Sequence, residues 1–98
     1  MPIRKGLLEL VVLKIIASKK VYAADILKKM NETEFNTQEG TLYPLLSRMR
    51  REGMVDYEWV ESESGPPRKY YLLTAKGKQQ LKNTMQYWKQ LHATIDNL

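Results

Sequence analysis

Two groups of residues in this 98-residue chain have types and spacings that suit chemistry, and both suit contact with a polyanion. On a helix of 100° per residue, Thr37, Gly40, Thr41, Pro44, Ser47, Arg48 and Arg51 share one face, opposite Leu42, Leu45, Leu46 and Met49. Small and hydroxyl residues lead and arginines follow, which suits hydrogen bonds to base edges at one end and to phosphates at the other. Gln38 adjoins this face, and Tyr43 lies on its edge within reach of a phosphate. The second group is the basic pair Arg68 and Lys69, placed just after a run of turn residues at 62–67. Sixteen Lys and Arg against eleven Asp and Glu leave a formal charge of +5, so nucleic acid or an anionic membrane is the partner class to test first.

Other chemistries lack their residues. With no cysteine there is no disulfide, thiolate nucleophile or thiolate metal site, and a reducing, cytoplasmic location is expected. A single histidine, His92, leaves the serines at 18, 47, 62 and 64 without a base nearby in sequence, and the carboxylates are scattered over polar faces. No enzymatic activity, metal or cofactor is therefore implied. Residues 6–17 are apolar but about a dozen long, short of the roughly 20 a membrane span needs. Arg4 and Lys5 before that run resemble the start of a signal peptide, yet Lys14 interrupts it and it reads as a core helix. A membrane-surface protein would line its cations along one helix face. Here ten of the sixteen precede Val55 and are spread over three helices, so no membrane partner is expected. A non-enzymatic module that binds RNA, or nucleic acid without sequence preference, remains the alternative; RNA would use base stacking on the hairpin tyrosines, although Tyr57 and Tyr71 look committed to the core.

Four helices and a hairpin must position these groups. The first has a stripe of Leu7, Leu8, Val11, Val12 and Ile15, with Leu10, Leu13 and Ile16 covering much of the rest of its circumference. A helix apolar nearly all round is covered on more than one side, and a second subunit suits the outer side. The second runs from about residue 23 to 30. The third begins between residues 36 and 38 and ends near Glu52, with Gly53 taking the left-handed position after it. Pro44 predicts a bend or a later start. From Val55 the period is two, giving a strand over 55–60, a turn over 61–67 and a strand over 68–73. Thr74 caps a last helix in which Leu81, Trp88 and Ile95, and also Thr84, Leu91 and Leu98, recur every seven residues, with Met85 and His92 widening the stripe.

This is the pattern of a winged helix-turn-helix, mainly helical within the α+β class, with residues 1–73 as a DNA-binding domain and 74–98 as a dimerisation helix. Gly40-Thr41-Leu42-Tyr43-Pro44-Leu45-Leu46, Arg48-Met49-Arg50-Arg51-Glu52-Gly53-Met54-Val55, and Gly65-Pro66-Pro67-Arg68-Lys69-Tyr70-Tyr71-Leu72-Leu73-Thr74 with Gly77 closely resemble the PadR family of bacterial transcription regulators. The resemblance covers about residues 5–77 and implies a dimeric repressor of double-stranded DNA. Tyr22-Ala23-Ala24 departs from the family's usual Tyr-Gly-Tyr. The single C-terminal helix resembles that of the small subfamily, some of whose members hold planar aromatic compounds between paired tryptophans.

The residue assignments follow from both readings. Thr37, Gln38 and Thr41 are expected to read bases, and Tyr43, Arg48, Arg68 and Lys69 to hold the backbone of a pseudo-palindromic operator. Leu8, Val12, Leu81, Met85, Trp88, Leu91 and Ile95 are expected at a homodimer interface. Trp88 and His92 are the candidate residues for a small aromatic effector.

Overall fold

Every predicted helix forms, and one unpredicted strand joins them. A computed structural model describes residues 3–98, with side chains described from residue 6, so Arg4 and Lys5 lie outside the described side chains. The elements are α1 (Ile3–Ser18), β1 (Val21–Tyr22), α2 (Ala23–Asn31), α3 (Glu39–Arg51), β2 (Val55–Ser62), β3 (Gly65–Leu73) and α4 (Ala75–Asp96). The three strands form an antiparallel sheet in the order β1-β3-β2. β1 is only two residues long and exists because β3 offers it an edge, pairing Val21 with Tyr71 and Tyr22 with Tyr70. Tyr22 then leads straight into α2, its N–H donating to the Asp25 carboxylate at 3.4 Å.

The core forms where α1, α2 and α3 meet the sheet, and Val12, Ile26, Met30, Leu42, Leu46, Met49 and Val55 are its fully buried side chains. This corrects part of the expected dimer surface. Val12 is wholly enclosed and Leu8 keeps 9% of its surface, so both serve the chain's own core, while half-buried Leu81 packs against that core with one side. The reason is geometric: Leu8, Val12 and Ile16 fall on one side of α1, and the hydrophobic core takes that side first.

Three further differences are local. α3 starts at Glu39, one residue beyond the expected window, so Thr37 and Gln38 precede it and the Gln38 carbonyl accepts the N–H groups of Thr41 (3.0 Å) and Leu42 (2.9 Å). The helix passes through Pro44 as one element. The bond that Pro44 cannot donate is owed to the Gly40 carbonyl, and both residues are exposed, where solvent can take up the loss. In the hairpin the strands run further than predicted, leaving only Glu63 and Ser64 as the turn. Pro66 and Pro67 are tolerated inside β3 because the ladder is irregular between Val60 and Ser62 and β1 reaches only Tyr70 and Tyr71.

α3 ends as predicted. Gly53 has φ 79°, Met54 N–H returns to the Met49 carbonyl (3.0 Å), and the chain turns into β2. α4 is then fastened to this turn. The Thr74 hydroxyl donates to the Gly53 carbonyl (2.6 Å) and accepts the Gly77 N–H (3.0 Å). Gly77 is required there, since a Cβ would stand 1.9 Å from the Met54 carbonyl oxygen.

Candidate nucleic-acid interface

The outer face of α3 and one face of the hairpin form a continuous surface. Thr41, Tyr43, Pro44, Ser47, Arg50 and Arg51 are exposed along α3, while Leu42, Leu46 and Met49 hold its other side in the core. Three expected base-reading residues come together: Thr37, Gln38 and Thr41 share an open concavity of about 630 Å³ with Leu8, Asn31 and Asn36 at the start of α3. The Asn31 side chain fixes this corner by accepting the Thr37 N–H at 3.0 Å.

At the other end of α3 a groove of about 430 Å³ runs between the helix and the hairpin, with Ser47, Arg50, Arg51 and Lys69 on its walls. The Arg50 guanidinium lies 4.3 Å from the centre of the Tyr57 ring, and the Lys69 ammonium 4.4 Å from the same ring and 5.4 Å from that of Trp59. These contacts line the cations along the groove, where Arg50 is also paired with Asp56, Nε to Oδ1 at 3.4 Å. Asp56 is the acid among them. The Tyr57 N–H, at 2.8 Å, and the Arg50 side chain hold its carboxyl below the usual aspartate range. Burial, with the nearby phenols of Tyr43 and Tyr57, pushes the Tyr71 hydroxyl up. With Tyr71 7% exposed and the Tyr57 ring already met by two cations, neither offers an open face for stacking a base.

Arg68 and Lys69 do not act as a pair, because neighbours in a strand point to opposite faces. Lys69 faces the α3 groove, whereas the exposed Arg68 crosses to the Tyr22 ring, 4.9 Å from its centre, on the side of Tyr70. Arg48 has partners that its neighbours lack. The helical wheel puts it with the outer face, and its guanidinium is held by Glu9 of α1 and by Glu52, the latter at 3.2 Å. Arg50, paired with Asp56, and Arg51 are more exposed. Sequence reasoning also passed over Trp59, 61% exposed beside Lys69; alternation predicts an inward side chain, but β2 has by then run past the edge of the core.

A different surface lies between α1 and α4. Leu10, Leu13, Tyr87, Trp88 and Leu91 line an apolar groove of about 440 Å³ with Glu9 at its side. Met85, Tyr87 and Ile95 of α4 stand in the open. Trp88 lines this groove with 36% of its surface exposed. His92 does not join it: its side chain is 81% exposed and its Nε2 lies 3.3 Å from the Asp96 carboxylate. Among the described residues no cluster of His, Cys, Asp or Glu is arranged to hold a metal, and no helix is long and apolar enough to cross a membrane.

The same fold recurs in known proteins. A PadR-like transcription factor of Bacteroides fragilis is 45% identical in sequence and superposes with a TM-score of 0.86 over 96% of this chain and 91% of that one. A PadR-like transcriptional regulator of Bacillus cereus is 39% identical, with a TM-score of 0.85 over 95% of this chain and 91% of its own. A PadR family regulator of Clostridium difficile is 29% identical, with a TM-score of 0.85 over 94% and 97% of the two chains. The sequence profile of the transcriptional regulator PadR-like family matches residues 12–83. With the winged helix formed at those residues, the chain belongs to the PadR-like family, which consists of transcriptional regulators and not of enzymes.

Proposed function

We propose that two copies of this chain bind one pseudo-palindromic duplex and act as a repressor by occupying promoter DNA in the cytoplasm. The observation that carries the reading is the continuous surface of α3 and the hairpin, with hydroxyl and amide groups at the start of α3 and cations at its end. α3 enters the major groove. Thr37, Gln38 and Thr41 read base edges, Tyr43, Arg50, Arg51 and Lys69 hold the phosphates beside them, and Arg68 meets the backbone from the far face of the hairpin. The dimer forms through Met85, Trp88, Leu91 and Ile95 of α4 with the outer side of α1, since an apolar stripe left open to water is otherwise unfavourable. The body of residues 1–73 and the helix of 74–98 thus divide DNA binding from pairing.

A two-fold dimer presents two copies of α3 about one helical turn apart, which sets the spacing of the half-sites at roughly 10–10.5 base pairs. Trp88 and its symmetry copy are the platform for a flat aromatic effector. An effector that binds the free dimer more tightly than the DNA-bound one lowers DNA affinity by the same factor.

A nuclease footprint on the DNA upstream of the protein's own coding region tests the regulator reading. Two protected half-sites related by a dyad support it. Equal affinity for every duplex of the same length at physiological salt contradicts it.

A further inference from the structure

Arg48 joins α3 to α1. Its Nη2 donates to the Oε1 of Glu9, thirty-nine residues earlier in the chain, and its Nη1 to the Oε1 of Glu52, one helical turn ahead. The second contact stays within the α3 end and fixes the arginine's own conformation. The first spans two helices. All three side chains are partly covered, with 27% to 45% of their surface exposed, so water screens these contacts less than it would on the open surface.

The apolar contacts of α3 cannot do what this ion pair does. Leu42, Leu46 and Met49 keep the helix against the core, but hydrophobic contact is non-directional and tolerates a small rotation about the helix axis. A charge-assisted hydrogen bond to a guanidinium at the flank of the helix does not. Base reading is sensitive to such a rotation, because a site must be held within about 10–20° of its productive geometry.

We propose that Glu9 is a positioning residue for DNA binding: through Arg48 it holds α3 at the rotation at which Thr41, Ser47 and Arg51 meet the duplex. The proposal rests on the reading of α3 as the DNA-facing helix. Glu9 itself touches no nucleic acid.

The sign of one substitution tests it. The probe is the duplex that the wild type selects most strongly from a random pool, with a scrambled duplex of the same length beside it. Glu9→Gln removes an acid from a basic protein and releases Arg48, so charge alone tightens both. Positioning requires the opposite for the selected duplex: about three- to tenfold weaker binding, with the scrambled duplex bound equally or more tightly. Arg48→Gln weakens the selected duplex to the same degree, and the double variant is no worse than the weaker single one. Circular dichroism and thermal melting confirm that each variant is folded; if Glu9→Gln is not, Glu9→Asp, which keeps the charge but shortens the reach to Arg48, should weaken the selected duplex and leave the scrambled one unchanged. Unchanged or tighter binding of the selected duplex by a folded Glu9 variant overturns the proposal. Gln38→Ala and Arg51→Ala serve as the reference: should they too leave the selected duplex unaffected, it is the DNA-facing reading of α3 that fails.

Discussion

α1 and α4 both carry apolar stripes, and the chain spends them differently. On α1, Leu8, Val12, Leu13 and Ile16 are buried against the core. On α4 Gly77 is buried and Leu81 and Thr84 are half-buried, and beyond them Met85, Tyr87 and Ile95 stand in the open. The molecule is accordingly elongated, 56 Å by 27 Å by 22 Å, because most of α4 extends past the body. An apolar stripe states that something covers it. What covers it depends on whether the chain itself comes within reach, and for most of α4 it does not.

Removing the exposed stripe should have the largest effect. A chain truncated after Asn83, which keeps Leu81 in the core, retains the interface of α3 and the hairpin but loses pairing, so its affinity for a two-half-site duplex should fall by about 10²–10⁴-fold as the second binding event stops being intramolecular. Sedimentation showing full dimerisation of the truncated chain would remove the role assigned to α4. The two stripes can also be compared one residue at a time. Leu46→Ala, at 0% exposure in the body, should cost about 2–5 kcal/mol of unfolding free energy, whereas Ile95→Ala, at 59% exposure, should leave the melting of dilute protein nearly unchanged and raise the dimer dissociation constant.

What the sequence made legible follows from how local each signal is. Helices of nine residues or more and a period-two hairpin announce themselves by spacing, and Gly53 and Thr74 mark their ends by chemistry that needs no distant partner. β1 was invisible because two residues carry no period and its pairing is supplied by β3, about fifty residues away. The pairing of Arg48 was hidden for the same reason: a helical wheel shows the side of α3 it leaves from, but not that Glu9 meets its guanidinium. The division of α1 was half legible, its all-round apolar character being plain while the inward side was not. The opposed directions of Arg68 and Lys69 were available from alternation alone, which makes the basic pair two separate anchors.

That separation gives the smaller predictions. Gln38→Ala should cost about 1–3 kcal/mol at one or two base positions and leave the rest of the site's preference intact, as read by competition among single-base variants of the duplex. Arg68→Ala should cost less, weaken all sequences nearly alike, and reduce the log–log salt slope by about 0.9 for each phosphate that the variant no longer neutralises. A change of sequence preference in Arg68→Ala would mean that the hairpin reads groove width.

The division between a reading body and a pairing helix is tested most directly by moving the half-sites. The full chain is titrated against its selected duplex and against the same duplex with about five base pairs, half a helical turn, inserted at the dyad. In the proposed dimer α4 holds the two copies of α3 at a fixed separation and phase, so the insertion should reduce affinity to that of a single half-site. Undiminished affinity for the inserted duplex would mean that each body binds alone, and would contradict the account.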